Sequence, residues 1–270
     1  MTLTGKAADF LALHHSEHPL LQPNAYDVGS ARVLETLGFK AIATTSSGMA
    51  ATFGKLDGSV TRDQVFEHCT LLSAAVGIPV AGDTENGFAD DPAGVAATVT
   101  RLCATGLAGC SIEDYSRDTN AIYDFGLAVE RVQAAVEAAH AGPTHLVLTA
   151  RAENLIHGVD DLDDTIKRLQ AFQDAGADVL FAPGVRSAER VRAIVSSIDA
   201  PLNVLAAPGL PPVAELGAMG VARISVGGGF AYTALAGLID AATELRDAGT
   251  YSYWDKIPGT RSTIVEAFAH

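Results

Sequence analysis

The sequence predicts a parallel α/β protein, and most specifically a closed (β/α)8 barrel. Eight short β-rich runs alternate with longer amphipathic runs along the chain. Several of the amphipathic runs end on a glycine just before the next β-rich run, as at Gly38, Gly77 and Gly176, which is typical of a helix C-terminus. The length of 270 residues is close to the roughly 250 residues of such barrels. An open doubly wound sheet is the alternative, but no G-x-G-x-x-G run opens the first helix.

The elements follow one another without a proline- or serine-rich linker, so we predict a single domain over residues 1–270. The β-rich runs predicted as strands are residues 20–22, 41–45, 78–82, 109–112, 145–150, 178–182, 202–206 and 223–226. The amphipathic runs predicted as helices are residues 5–13, 29–37, 61–76, 92–104, 126–140, 162–175, 188–198, 212–219 and 230–248. Asp161 and Ser187 are suited to cap the helices that follow them. The tail, residues 249–270, carries the single tryptophan, Trp254, and is predicted to dock against the barrel or a neighbouring subunit.

Composition limits the function. A net charge of −14 argues against nucleic-acid binding, which requires a basic surface, and is compatible with divalent cations. The cysteines, Cys69, Cys103 and Cys110, have neither metal-ligand spacing nor a disulfide pattern. No apolar run is long enough to span a bilayer, and the chain does not begin like a signal peptide. We therefore expect a cytoplasmic, reduced protein.

Charged side chains follow three successive predicted strands. Asp83 and Glu85 follow the third strand, Glu113 and Asp114 the fourth, and Arg151 the fifth. The carboxyl ends of barrel strands form the active site, so these side chains should meet there. Carboxylate oxygens suit Mg²⁺ or Mn²⁺, and a guanidinium suits a substrate carboxylate. The pattern predicts a magnesium site with an anion clamp; the alternatives are solvated carboxylates and a structural ion pair.

Two further segments are candidates for the site. The small-residue turn SSG at 46–48 can bind an anion through backbone N–H groups, or can be an ordinary turn. The long polar loop 114–125 is a candidate lid, or a solvated connection. The last three strands end in small or apolar residues, so the site should lie off-centre over strands two to five. No lysine and no paired histidines end a strand, which argues against a Schiff-base aldolase and a zinc hydrolase.

Five motifs at these strand ends resemble the isocitrate lyase/phosphoenolpyruvate mutase superfamily. They are NAYD at 24–27, TSSG at 45–48, GDTENG at 82–87, SIED at 111–114 and TARAE at 149–153. The similarity extends through essentially the whole chain, with the motifs in the family's order. It implies a (β/α)8 barrel in a homodimer or homotetramer that exchanges its last helix. It also implies a Mg²⁺-dependent reaction that makes or breaks a C–C or P–C bond next to a 2-oxo acid.

The resemblance also implies roles for individual residues. Asp83 would bind the metal directly, whereas Glu85, Glu113 and Asp57 would act through water. The residues implied to bind substrate are Tyr26, Ser46, Ser47, Gly48, Asn120 and Arg151. The residues implied to take part in catalysis are Glu113, Asn120 and Arg151.

The loop 114–125 departs from the family's patterns. It lacks the Lys-Lys-Cys-Gly-His run whose cysteine protonates the enolate in the lyases. Asp118 replaces the lysine of the phosphonopyruvate enzymes and would repel a dianionic leaving group, whereas Asn120 is retained. Pro183 stands near where those enzymes have a histidine. We expect a lyase or decarboxylase that works through a pyruvate-enolate-like intermediate; P–C bond chemistry and a non-catalytic barrel that binds a small acid are the alternatives.

Overall fold

A barrel of eight parallel strands forms the centre of the molecule. The computed structural model describes residues 5–142 and 145–269. The barrel strands are β1 Leu20–Gln22, β2 Ile42–Ala43, β3 Val80–Asp83, β4 Gly109–Glu113, β7 Val147–Arg151, β8 Val179–Phe181, β9 Leu202–Leu205 and β10 Arg223–Ser225. Two more strands, β5 Tyr115–Ser116 and β6 Ala121–Ile122, pair antiparallel in the loop after β4. Every predicted strand overlaps an observed one, and the predicted barrel is confirmed.

The sheet closes on itself between β1 and β2. The strand order is β1-β10-β9-β8-β7-β4-β3-β2, which leaves these two strands at its ends. Asn24 bridges Ala43 in parallel, and the Ala25 N–H donates to the Ala43 carbonyl at 2.7 Å. The Ala43 N–H in turn donates to the Pro23 carbonyl at 3.0 Å. The open doubly wound alternative is therefore wrong.

Helices surround the barrel. They are α1 Lys6–Leu13, α2 Val28–Thr36, α3 Ser46–Thr52, α4 Arg62–Ala75, α5 Pro92–Leu102, α6 Phe125–Ala141, α7 Leu162–Asp174, α8 Ala188–Val195, α9 Val213–Ala218, α10 Gly229–Asp247 and α11 Pro258–Phe268, with a 3₁₀ helix at Ser252–Lys256. All nine predicted helices are confirmed, and Asp161 and Ser187 cap α7 and α8 as expected. The sequence did not predict α3, α11 or the 3₁₀ helix.

The amino end of the barrel is closed by α1. The Phe10 side chain is fully buried among Leu20, Val147, Val179 and small residues of the first strands. Gly109 leaves room for it, because a Cβ at that position would lie 2.9 Å from the Phe10 ring. The carboxyl ends of the strands are therefore left as the open face.

The C-terminal helices α10 and α11 carry much exposed apolar surface. Within α10, only Ala231 is buried, and Leu238 and Ile239 are each 63% exposed. The α11 helix packs on α2 of the same chain, while Trp254 remains 60% exposed. Exchange of the last helix and a single domain over residues 1–270 stay predictions, and residues 1–4 and 270 lie outside the described residues.

Two compositional expectations can also be compared with the structure. The three cysteines are unpaired, and Cys69 and Cys110 are buried, in agreement with the absence of a disulfide pattern. Within the described ranges, no helix combines the length and the apolarity needed to cross a bilayer.

Candidate functional site

A cavity of about 250 Å³ opens at the carboxyl ends of the barrel strands. Drug-sized ligands occupy sites of roughly 300–1,000 Å³, so this cavity suits a smaller molecule. Its upper wall includes predicted site residues from four strands or the segments after them, namely Ser46, Ser47, Asp57, Asp83, Glu113 and Arg151. The structure therefore brings most of the predicted site residues to one cavity.

Arg151 is the centre of a buried charge cluster. Its Nη1 atom lies 3.0 Å from Glu113 Oε1 and 3.1 Å from Asp83 Oδ1. Its Nε atom donates to Glu153 Oε1 at 2.7 Å. Burial alone would lower the pKa of Arg151, but the neighbouring carboxylates, Glu113 first, raise it. Arg151 is thus always positively charged, and it holds the carboxylates of Asp83, Glu113 and Glu153 close to one another.

Asp83 connects this cluster to the start of α3. Its Oδ2 atom accepts the Ser46 N–H at 2.9 Å, and its own N–H donates to Thr44 Oγ1 at 2.8 Å. Thr45 caps α3 by accepting the Gly48 N–H. The predicted anion-binding turn is therefore the first turn of a short helix, and at least one of its N–H groups is bound to Asp83.

Gly48 and Tyr26 stand behind the cavity wall and are not among its lining residues. A Cβ on Gly48 would lie 2.6 Å from Thr45 Cγ2 and 2.9 Å from Tyr26 Cβ. The glycine therefore permits close packing of α3 on the segment after β1. Both residues remain candidate binding residues by resemblance, with a packing role in this structure.

The loop after β4 brings a cation to the cavity. Arg117 lies between β5 and β6, with its Nε atom 2.8 Å from Glu85 Oε2 and its Nη2 atom 3.1 Å from Asp57 Oδ2. Its aliphatic stem crosses Gly58, where a Cβ would lie 2.6 Å from Arg117 Cδ. Sequence reasoning missed this residue because it considered only Asp118 as the replacement for the family's lysine.

Asp118 and Asn120 lie on the other side of the same turn. Both are exposed, and neither lines the cavity. Asn120 adopts a left-handed backbone with φ of 54°, and its side-chain oxygen accepts a hydrogen bond from the Tyr115 hydroxyl. The turn directs the loop's cation, Arg117, toward the cavity, and repulsion of a leaving group by Asp118 in a closed loop stays a prediction.

The donor set fits a divalent cation. Five carboxylates and three guanidiniums surround or adjoin the cavity, which leaves a formal excess of two negative charges. The acids are Asp57, Asp83, Glu85, Glu113 and Glu153, and the cations are Arg117, Arg151 and Arg223. Glu85 Oε1 is buried and has no hydrogen-bond partner. Burial, opposed by Arg117 and helped by Asp83 and Asp57, raises the pKa of Glu85 to about 7. These oxygen donors suit Mg²⁺, whose charge would favour the ionised carboxylates.

The acids do not form a compact ligand set among themselves. In the described part of the chain, no three of these carboxylates bring ligand atoms within 4.8 Å of one another. That spacing is compatible with one direct ligand and with other acids acting through bound water, as the resemblance implies for Asp83, Glu85, Glu113 and Asp57. Asp114 is not part of this set, because it binds the Glu153 N–H and Arg168.

The floor of the cavity is polar, which sequence reasoning missed. Arg223 donates to Asn203 Oδ1 at 3.0 Å and to Thr149 Oγ1 at 3.1 Å, and its Nη1 lies 3.1 Å from His14 Nε2. Burial, then Arg151, lowers the pKa of Arg223 to about 9. The prediction that the site lies only over strands two to five is therefore wrong for the floor of the cavity, because β9 and β10 supply side chains to it. Polar–apolar alternation in these strands was the available signal.

His157 was also missed by sequence reasoning. It lines the cavity, and its ring stacks on that of Tyr115 with centroids 3.5 Å apart. Its Nε2 atom lies 3.8 Å from Glu153 Oε2. Burial, then Arg117 and Arg151, lowers its pKa below the ordinary value. His157 is therefore an imidazole at the mouth of the cavity that can exchange a proton.

Comparison with known proteins places these features in context. A family model described as phosphoenolpyruvate phosphomutase matches residues 10–246. An uncharacterized protein of Mycobacterium tuberculosis is 34% identical over 220 residues, which cover 81% of each chain. A structure from Burkholderia cenocepacia, provisionally described as a lyase/mutase, is 46% identical with a TM-score of 0.90, over 93% of this chain and 91% of that one. The structure of 2,3-dimethylmalate lyase is 27% identical with a TM-score of 0.84, over 98% and 95% of the two chains.

Proposed function

The chain belongs to the phosphoenolpyruvate mutase/isocitrate lyase superfamily, and on this basis we propose that it is a Mg²⁺-dependent carbon–carbon lyase or decarboxylase. Members of the superfamily are lyases, decarboxylases and mutases that act on small carboxylic acids. We infer a small 2-oxo acid, or a related carboxylate, as the substrate. The bond next to the oxo group would break and leave a pyruvate-enolate-like intermediate.

The observation that carries this proposal is the grouping of Asp83, Glu113 and Glu153 around Arg151 at the wall of a small cavity. Burying an arginine with three acids costs desolvation energy. Well-packed apolar side chains at the same positions would stabilise the fold at least equally. Its position at the carboxyl ends of barrel strands is the position of barrel active sites. The cluster is therefore better explained by binding and catalysis than by stability.

The chain's own residues would hold and orient the substrate. Ser46 and Ser47 line one wall, and Arg117 and Arg151 supply positive charge on two others. Between them, a carboxylate and an oxo group can be fixed while the bond to be broken faces the loop 114–125. A Mg²⁺ ion held by Asp83, when bound, supplies Lewis-acid stabilisation of the developing enolate oxygen.

His157 is our candidate for the proton donor, which the lyases supply from a lid cysteine. When a carboxylate leaves as CO₂, the electron pair of the broken C–C bond moves into the enolate. An imidazolium at His157 would then transfer its proton to the enolate carbon, giving the 2-oxo acid and a neutral imidazole. Because burial, Arg117 and Arg151 lower the pKa of His157, its imidazolium is a stronger acid than a free one and gives up its proton readily.

Phosphonopyruvate-type P–C chemistry is the second candidate, and Arg117 favours it. The sequence predicted that Asp118 of this loop would repel a phosphonate, but the side chain of the loop that reaches the cavity is the cation Arg117. A guanidinium there can accept a phosphonate as readily as a carboxylate. A non-catalytic barrel that binds a small acid is the remaining alternative.

We also propose that α10 and α11 take part in a homodimer or homotetramer, with exchange of the last helix between subunits. The exposed apolar side chains of α10, among them Leu235, Leu238 and Ile239, support this proposal. In a monomer they would remain in contact with water over most of a 19-residue helix.

A substrate panel tests the proposed function. Oxaloacetate, 2-methylisocitrate, 2,3-dimethylmalate and phosphonopyruvate would be incubated with the protein and Mg²⁺, and product 2-oxo acid or oxalate would be measured. We expect turnover of at least one C–C substrate, and none with Arg151→Met, which keeps the volume but not the charge. Turnover of phosphonopyruvate alone would select P–C chemistry. Tight oxalate binding without any turnover would select the binding-protein alternative.

A further inference from the structure

Three potential metal ligands meet at the amino end of the barrel, on the face opposite the cavity. His140 lies in the last turn of α6, His145 precedes β7, and Asp178 precedes β8. The side chains are partly buried. None of them lines the cavity or takes part in the proposed reaction.

The distances among the three side chains are close to those of a tetrahedral metal site. His140 Nε2 lies 3.0 Å from Asp178 Oδ2, and His145 Nε2 lies 3.5 Å from Asp178 Oδ1. One ligand atom from each residue lies within 4.8 Å of the others. With metal–ligand bonds of about 2.0–2.1 Å, ligand atoms of a tetrahedral Zn²⁺ site are about 3.4 Å apart. In the described part of the chain, no other group of His, Cys, Asp or Glu side chains is as compact.

The hydrogen bonds around this cluster leave one donor or acceptor unused. Asp178 Oδ2 accepts the Leu148 N–H at 2.8 Å, which fixes the carboxylate from outside, as is usual for metal-bound carboxylates. His145 Nε2 is buried, and its 3.5 Å contact with Asp178 Oδ1 does not form a hydrogen bond. Buried polar atoms without a partner are rare and require an explanation. A metal ion that binds this nitrogen would provide one.

We propose that His140, His145 and Asp178 form a site for Zn²⁺ or a similar transition-metal ion, with water as the fourth ligand. Two imidazoles and one carboxylate favour Zn²⁺, Co²⁺ or Ni²⁺ over Mg²⁺, which prefers oxygen donors. The ion would connect the end of α6 to the starts of two neighbouring strands. Its role would be structural, since the cavity lies at the other end of the barrel.

The two imidazole rings would have to rotate out of their stacked arrangement to share one ion. They stack with centroids 3.8 Å apart and an interplanar angle of 14°, so the planes that contain their nitrogen lone pairs are nearly parallel. A metal ion lies close to the plane of each imidazole that binds it, which requires convergent lone pairs. The alternative is a stacked histidine pair with a single ion pair to Asp178 and no metal. The two interpretations differ because only the first predicts that these three side chains bind a metal ion.

Metal titration of the full chain decides between them. Mg²⁺ in excess would first occupy the oxygen site at the cavity. Zn²⁺ binding would then be followed by calorimetry, and Co²⁺ binding by the intense visible absorption of tetrahedral Co²⁺. We expect one equivalent in the wild type and about 100-fold weaker binding in both His145→Gln and Asp178→Asn. The control His18→Gln removes an exposed histidine and should bind as the wild type does.

Thermal unfolding provides a second readout. An ion that binds only the folded chain raises the melting temperature, so Zn²⁺ should stabilise the wild type and His18→Gln but neither ligand variant. Asp178→Asn keeps an acceptor for the Leu148 N–H, so circular dichroism should show a folded protein. Zn²⁺ binding that is equal in the wild type and both ligand variants would overturn the proposal. Absence of Zn²⁺ binding to the wild type would also overturn it, and neither result bears on the proposed reaction at the cavity.

Discussion

Arg117 Nε lies 2.8 Å from Glu85 Oε2, so an ion pair holds the loop after β4 against the end of β3. The pair is imperfect: the Nε–H is not aligned for a hydrogen bond, and the second carboxylate oxygen of Glu85 has no partner. Well-aligned bidentate pairs are the strong ones. The Arg117–Glu85 contact can therefore break when another cation binds the Glu85 carboxylate.

Arg117→Ala should have opposite effects on anion and metal binding. Oxalate, which mimics an enolate, should bind roughly tenfold more weakly, equivalent to about 1.4 kcal/mol, because a cation has been removed from the cavity. Mg²⁺ should bind at least as tightly, because Glu85 and Asp57 lose a competing cation. Calorimetry with each ligand checks both effects. Asp118→Ala, at an exposed neighbour, should change neither; equal oxalate affinity in Arg117→Ala and wild type would exclude Arg117 from the binding site.

Asp83→Asn should reduce Mg²⁺ affinity by about 100-fold or more, because it removes the charge of the proposed direct ligand. The amide oxygen keeps an acceptor for the Ser46 N–H, so the fold should persist by circular dichroism. Glu67→Gln removes the same charge from an exposed position on α4 and serves as the control. Unchanged Mg²⁺ affinity in Asp83→Asn would show that the metal assignment is wrong.

Asn120→Ala should lower turnover about tenfold while leaving oxalate affinity nearly intact. The reason is that Asn120 lies outside the cavity here and would act only when the loop closes on a substrate. Steady-state kinetics on the best substrate of the panel, with oxalate inhibition measured in parallel, provides the check. Thr119→Ala is the matched control in the same turn. Wild-type turnover in Asn120→Ala would mean that residues 114–125 are only a connection.

His14 should contribute a loss of stability in mild acid. Burial, then Arg223, lowers the pKa of His14 to about 3, whereas an exposed imidazole titrates near 6.5. As pH falls below 6.5, the unfolded chain binds the proton first, and the free energy of unfolding decreases. At pH 5 the loss from this residue is about 2 kcal/mol relative to pH 8.

Urea unfolding at pH 8 and pH 5 measures this effect. His14→Gln should lose less stability between the two pH values than the wild type does, although it can be less stable at both. His68, whose pKa burial lowers to about 4, titrates in both proteins and cancels in the comparison. An equal loss in wild type and His14→Gln would contradict the assignment.

Ile239→Asp should reduce association between subunits. Burial of an isoleucine side chain stabilises an interface by roughly 1.5–3 kcal/mol, and a buried aspartate opposes it. Light scattering after size exclusion, over a range of concentrations, would show a smaller species than the wild type. Thr243→Asp adds the same charge at an exposed polar position of α10 and is the control. A wild type that is monomeric at all concentrations would refute the proposed assembly.

The barrel was predictable because its signals are local. Short apolar runs, amphipathic helices and terminal glycines recur with a regular period, and each strand appears where the sequence places it. The α3 helix was not predictable: seven residues rich in serine, glycine and alanine have no apolar stripe. That helix depends on a contact from another strand, the Asp83 carboxylate on the Ser46 N–H. Tertiary contacts of this kind leave no periodic pattern in the sequence.

The site was predictable to the extent that strands present it. Asp83, Glu113 and Arg151 follow directly from strand ends, and their grouping needs only the rule that parallel strands end together. Arg117 and His157 belong to loops, whose direction depends on turns that sequence spacing does not fix. Arg223 could have been found from alternation within β10, but a buried arginine without an acid is an unusual expectation.

Among the described residues, Phe10 closes the amino end of the barrel, and the cavity opens at the carboxyl ends of the strands beside the loop 114–125. Substrate, proton-exchanging water and both fragments of a cleaved molecule must then pass the same loop. Because both products would leave on the same side of the barrel, we expect ordered release. The fragment nearest the loop should depart first, and the one held by Arg151 should inhibit competitively against the substrate.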